Sequence, residues 1–160
     1  MSEIKKIMDE NELQKLLEVI SNQHMVDTYV IAANEMRQIK WSGQCAVIQN
    51  TQKRGNGGKH WLLWYKSSPN MVEYWDSFGR SPFSYGVQVP NLKIVKSNNM
   101  QFQPDSSSLC GLYCLYVLYH RLNGRSFDKI MQDFSENLLL RNDALVLRFY
   151  DNLNIRKNDT

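Results

Sequence analysis

The chain has 160 residues, 42% apolar and 22% charged, which is the composition of a soluble globular domain of one unit, large enough to fold without disulfide or metal staples. Its 19 basic and 16 acidic residues leave a net charge of +3, well below what an obligate nucleic-acid binder carries. The longest unbroken apolar run, 112–119, falls far short of the ~20 residues a membrane-spanning helix needs, and charges interrupt MSEIKKIMDE too often for a secretory signal, so an intracellular protein is expected.

Asp9 followed by Glu12 is a capping-box pattern, and Leu13, Leu16, Leu17 and Ile20 form one apolar stripe, which predicts a helix over 10–21. Residues 29–32 and 45–49 read as short strands. The stretch 51–59, TQKRGNGGK, has no apolar residue and predicts a solvated loop that ends at His60. Two apolar runs, 61–66 and 71–75, flank Ser-Ser-Pro-Asn and predict an antiparallel hairpin. A loop over 76–85, a short strand over 92–95 and a second loop over 101–109 follow. From Cys110 the apolar residues recur at helical spacing up to Asn123-Gly124, which predicts a buried helix. Ser126 can cap a further helix with Phe127, Ile130, Phe134 and Leu138 on one face, and Asn142 can cap a last one through about Asn152. The order predicts a compact α+β single domain, spanning 1–160, around a central mixed or antiparallel sheet.

The hairpin brings chemistry together. Pairing Lys66 with Met71 across a four-residue loop places Trp61 opposite Asp76 and His60 opposite Ser77, so His60 and Asp76 meet at the open end. A carboxylate on one ring nitrogen fixes a histidine's tautomer and raises its basicity. On the hairpin alone, a surface His beside a surface Asp is the more ordinary outcome, and the chemical reading needs a nucleophile.

A nucleophile is supplied by Cys110, at the start of the buried helix, where free N–H groups and the helix dipole stabilise a thiolate. Gly111 beside it removes bulk and allows close approach of a substrate. Gln103, on the preceding loop, has an amide that could steady a developing oxyanion. Cys45 and Cys114 read as small buried hydrophobes. Three cysteines, an odd number, fit a reducing compartment. The histidines His24, His60 and His120 lack ligand spacing with the cysteines, so no metal is expected, and His120 reads as a packing residue near a helix end.

Taken together, GGKHW at 57–61, YWDSFG at 74–79, and Gln103 followed by SSSLCGLYC at 106–114 resemble the adenovirus endopeptidase (adenain) family of cysteine proteases, relatives of the ubiquitin-like protein proteases. The resemblance is strongest over 44–80 and 93–120. It implies an adenain-like fold with the nucleophile at the N-terminus of the central helix. It implies that Cys110 attacks the scissile carbonyl, His60 protonates the leaving amine, Asp76 orients His60, and Gln103 with the Cys110 N–H forms the oxyanion hole. It further implies a viral or transposon-borne endopeptidase that matures capsid and core precursors at small, Gly-containing sites, a monomer found in the virion and the host nucleus or cytoplasm. DNA is a candidate activator by the same resemblance. Residues 92–103, where adenoviral enzymes carry a cysteine that tethers a peptide cofactor, hold none, so activation through such a disulfide is not expected.

Other readings stay open. A deconjugating protease for ubiquitin-like modifiers shares the triad, as does an acyltransferase of the same clan, although SSSLCG departs from the Asp-Cys-Gly of the deconjugating enzymes. A nucleic-acid-binding or scaffold protein would draw on Lys53, Arg54, Lys59, Lys93, Lys96, Arg121 and Arg125.

Overall fold

A computed structural model describes residues 8–55 and 60–158, and of 154–158 the backbone alone. The chain runs α1 (Glu10–Ser21), β1 (Asp27–Ile31), β2 (Cys45–Asn50), β3 (Trp61–Ser68), β4 (Met71–Trp75), β5 (Lys93–Ser97), α2 (Cys110–Leu122), α3 (Phe127–Met131) and α4 (Leu139–Asn158). One-turn 3-10 helices lie at Met36–Gln38 and Pro82–Tyr85. The expected Gly57, Gly58 and Lys59 of the glycine loop, and the first seven residues, lie outside the described residues.

Five strands form one mixed sheet in chain order: β1 and β2 are parallel, β2 to β4 antiparallel, and β5 parallel to β4. Alternation along the central strands sends Trp61, Leu63, Tyr65 and Trp75 to one face, where α1 and α2 cover them with Leu13, Leu17, Tyr113 and Leu115. Leu62, Trp64, Val72 and Tyr74 go to the other, under Met36, Ile39, Tyr85 and Val87 from the two irregular connections. Burial on both faces explains why β2 reads CAVIQN with no exposed position.

Local signals act as expected at α1, where the Asp9 carboxylate accepts the Glu12 N–H at 2.8 Å. The hairpin differs. Strand β3 continues to Ser68, the turn is the two residues Pro69 and Asn70, and a bulge between Lys66 and Ser68 resets the pairing to Lys66 with Val72 and Leu63 with Trp75. Asn70 takes a left-handed φ of 62°, which its short polar side chain tolerates. The expected pairing of Trp61 with Asp76 is therefore wrong by one residue. The slip matters because a one-residue shift exchanges the faces. Carried on to the strand ends, the observed register sets Asp76 against Leu62 and so on the same side as His60, whereas the expected register would have set them on opposite sides.

Two expectations about the C-terminal helices also fail. Ser126 does cap α3, accepting the Lys129 N–H, but α3 is one short turn and Leu138 lies exposed rather than on its buried face. Asn142 is no cap, because α4 begins at Leu139. It is buried within the helix and its amide satisfies backbone groups of two neighbouring segments.

Candidate active site

Strand β4 ends at Trp75, and the chain turns at once. The Gly79 N–H donates to the Asp76 carbonyl at 2.8 Å, closing a tight turn over Asp76, Ser77, Phe78 and Gly79. Gly79 has φ 72°, and a Cβ there would lie 2.6 Å from the Met100 carbonyl carbon, so only glycine fits both the turn and the backbone crossing over it.

The Asp76 carboxylate, wholly buried, sits inside this turn with all its lone-pair directions used. Oδ1 accepts from His60 Nε2 at 2.5 Å and from the Phe78 N–H at 3.0 Å. Oδ2 accepts from the Arg80 N–H at 2.9 Å and from the Tyr85 hydroxyl at 2.5 Å. Burying a charge is tolerable only with such pairing. The backbone of Asp76 is held by the Asn98 side chain, whose Oδ1 accepts the Asp76 N–H at 3.0 Å while its Nδ2 donates to the Asp76 carbonyl. Asn98 thus replaces the strand partner that the end of β5 no longer provides.

His60 immediately precedes β3. Its ring stacks on Phe78 (centroids 4.6 Å apart) and lies 5.6 Å from the Tyr85 ring. With Nε2 committed to Asp76, the buried Nδ1 has no full hydrogen bond of its own, and the Cys110 thiol is close enough to act on the ring both as a hydrogen-bond partner and as a charge. Burial alone would lower the His60 pKa, but the Asp76 hydrogen bond and Cys110 outweigh it and raise it to about 9. At neutral pH the ring is an imidazolium facing a sulfur.

Cys110 is the first residue of α2, 3% exposed. Leu109 precedes it as an N-cap whose side chain makes no hydrogen bond to the first-turn N–H groups beside the sulfur. Gly111 serves a different purpose from the one expected. A Cβ there would stand 3.2 Å from Leu13 Cδ2 and 3.5 Å from Trp61 Cδ1, so the missing side chain lets α1 and β3 pack against α2 rather than opening a path for substrate. Trp61 likewise packs in the core and donates from Nε1 to the Met8 carbonyl at 3.0 Å.

Gln103 is buried next to the same turn. Its Oε1 accepts the Ser77 hydroxyl at 2.5 Å and its own N–H donates to the Ser77 carbonyl at 3.0 Å. Nε2 donates to the Ser107 carbonyl at 2.8 Å and approaches Ser107 Oγ at 3.3 Å. The shorter contact commits one amide hydrogen and the longer leaves the second weakly held.

His60, Asp76 and Cys110 therefore come together, and Gln103 lies beside the turn that holds Asp76. The remaining cysteines do not: Cys114, one helical turn on, is fully buried with its thiol held above the usual range by burial, and its Sγ donates to the Trp61 carbonyl at 3.4 Å. Burial likewise pushes Cys45 up to about 12. His120 packs on Tyr116 and Phe149 far along α2. Among the described residues no group of three or more His, Cys, Asp or Glu is placed to hold a metal, and no helix is long and apolar enough to cross a membrane. Sequence reasoning missed Tyr85, Asn98 and Ser77, whose only sequence signal is their nearness to Asp76 and Gln103.

Several expected cations are engaged with carboxylates. Arg54 clasps both Glu10 and Glu35, Lys96 meets Asp128, Arg121 meets Glu73 and Arg125 meets Asp133. Of those named as a basic patch, Lys53 and Lys93 remain as exposed lysines, and Lys59 lies outside the described residues.

No family model matches the chain. Its sequence is similar to the protease of bovine adenovirus C serotype 10, at 31% identity over an alignment of 97 residues that covers 50% of this chain and 49% of that protein. The chain thus spans about half the length of the curated relative it matches. Among solved structures, the ASFV pS273R protease aligns over 60% of this chain and 40% of its own, with TM-score 0.42 and 19% identity. The likeness in sequence is to a viral protease.

Proposed function

We propose that the protein is a cysteine endopeptidase in which Cys110 is the nucleophile, His60 the acid and base, Asp76 the orienting carboxylate, and Gln103 with the Cys110 N–H the oxyanion hole. The observation that carries the reading is the His60 ring held between the Asp76 carboxylate and the Cys110 thiol at a helix N-terminus. The Cys110 thiolate adds to the scissile carbonyl carbon, and the oxygen takes the negative charge in the hole. As the C–N bond breaks, the His60 Nδ1 proton passes to the departing amine and an acyl-thioester remains. His60 then takes a proton from water, the hydroxide adds to the thioester, and the C–S bond breaks to return the thiolate.

Cys110 and His60 are only 3% and 5% exposed, which favours substrates with glycine at the cut, since a side chain there has little room. With the similarity to a viral protease, this supports maturation of viral precursor proteins, in the virion or the host cell, as the role. A peptide activator would have no surface thiol to pair with, because Cys45, Cys110 and Cys114 are all buried. DNA as an activator would draw on exposed cations such as Lys53 and Lys93, each phosphate contact steepening log K against log salt by about −0.9.

The test is cleavage of a peptide library containing internal Gly pairs, together with a ubiquitin-like tail joined to lysine through Gly-Gly, read by mass spectrometry with and without DNA. Internal cleavage that Cys110→Ala abolishes is expected. Cleavage of the lysine-linked tail alone would make the enzyme a deconjugating protease. An inert protein whose Cys110 labels with iodoacetamide no faster than Cys45 and Cys114 would end the protease reading.

A further inference from the structure

Two neighbouring residues of α4 grip the loop that carries Gln103, and no step described above uses them. Asn142, 1% exposed, donates from Nδ2 to the carbonyl of Phe102 at 2.9 Å, one residue before Gln103, and to the Ser135 carbonyl at 2.7 Å. Asp143 holds the far end of the loop. Its Oδ1 accepts the Ser107 hydroxyl at 3.1 Å and the Tyr113 hydroxyl, from α2, at 2.7 Å. Burial pushes the Asp143 pKa up, and the two hydroxyls pull against that shift.

Ser107 is the residue that meets Gln103. Its carbonyl receives the firm Nε2 hydrogen bond, and its Oγ lies 3.3 Å from Nε2 and accepts the Leu109 N–H at 3.3 Å. A hydroxyl has one hydrogen to give, and a carboxylate only accepts. Asp143 therefore takes the Ser107 hydrogen and leaves the Oγ lone pairs turned toward Gln103 and toward the backbone entering α2. Without that acceptor the hydroxyl can rotate and offer its hydrogen to other oxygens, and the second hydrogen of the Gln103 amide loses the fixed lone pair that sets its direction.

We propose that Asp143 is a positioning residue of the oxyanion hole, acting through Ser107 to set both the Gln103 amide and the backbone leading into Cys110. The proposal rests on the endopeptidase reading and assigns to the C-terminal helix a part in the chemistry.

The experiment compares the wild type with Asp143→Ala, Asp143→Asn and Tyr113→Phe, measuring kcat, KM, the rate of Cys110 alkylation and the thermal midpoint. Removing an oxyanion donor outright costs roughly 10²–10³ in turnover, so misaligning one through Asp143→Ala is expected to cost about tenfold in kcat with KM unchanged. Alkylation of Cys110 should stay at the wild-type rate, because forming the thiolate needs no oxyanion hole. Asp143→Asn, whose amide oxygen still accepts from Ser107, should restore most of the turnover. Tyr113→Phe removes the other hydrogen bond to the same oxygen and should lower the thermal midpoint without lowering kcat. Wild-type kcat in Asp143→Ala, or losses in all three variants that track their thermal midpoints, overturns the positioning role while the protease reading stands. A wild type that neither cleaves nor alkylates selectively at Cys110 overturns both.

Discussion

At the scale of single residues, the candidate centre depends on how completely Asp76 is satisfied. Four donors converge on one buried carboxylate, and only one of them, His60, is part of the proposed chemistry. Tyr85 stays a neutral donor, since burial and the neighbouring carboxylate raise its pKa. A hydrogen bond to a charged group is worth about 1.5–3 kcal/mol, so Tyr85→Phe is expected to lower unfolding free energy by that order, measured by urea denaturation. The pH dependence follows from His60. Its folded pKa of about 9 lies above the ordinary 6.5, so its stabilising effect is full below pH ~6.5 and disappears as pH rises through about 9. Thermal midpoints should fall across pH 6.5–9 in the wild type, and the part of that fall owed to His60 should vanish in His60→Ala. A parallel fall in both proteins would show that the histidine is not held as an imidazolium.

Elements decide where those residues stand. The turn after β4 is shared: Asp76 caps it from within, Ser77 faces Gln103, and Gly79 lets residues 98–102 cross beneath. Gly79→Ala combines a left-handed φ with a backbone clash, and is expected to destabilise by more than the ~1 kcal/mol of an ordinary glycine replacement and to reduce proteolysis with it. Circular dichroism melts and peptide turnover check this together. The element bounds were largely legible in the sequence because capping residues and apolar periodicity are local signals, as Asp9 at α1 and the stripe from Cys110 illustrate. The hairpin register was not. A bulge near Ser67 costs little locally and leaves no mark in the alternation, yet it moves Asp76 to the side of His60. Asn142 misled for a related reason: an amide that favours caps serves equally well inside a helix when other segments bring it carbonyls to bind.

Across the whole molecule, the helix that begins with Cys110 is fastened to the sheet at both ends. Near the nucleophile, Gly111 lets Leu13 and Trp61 close in, and near its C-terminus Arg121 makes two hydrogen bonds to Glu73 of β4 at 2.8 and 2.9 Å while lying over the Tyr65 ring. Glu73→Ala leaves a partly buried guanidinium without its carboxylate, a loss of a few kcal/mol when such a pair is buried, so a clear drop in the thermal midpoint is expected. Activity at a temperature where the variant is folded should be retained, because no step of the proposed reaction touches this pair. By itself the sequence determined the α+β class and most helix and strand positions, and it nominated His60, Asp76, Gln103 and Cys110 as the candidate centre, because each is written in local patterns or short motifs. Only the tertiary structure decided which groups hold them, since Tyr85 and Asn98 reach Asp76 across 9 and 22 residues and Asp143 reaches Ser107 across 36, where hydrogen bonds depend on chain paths that no local pattern records.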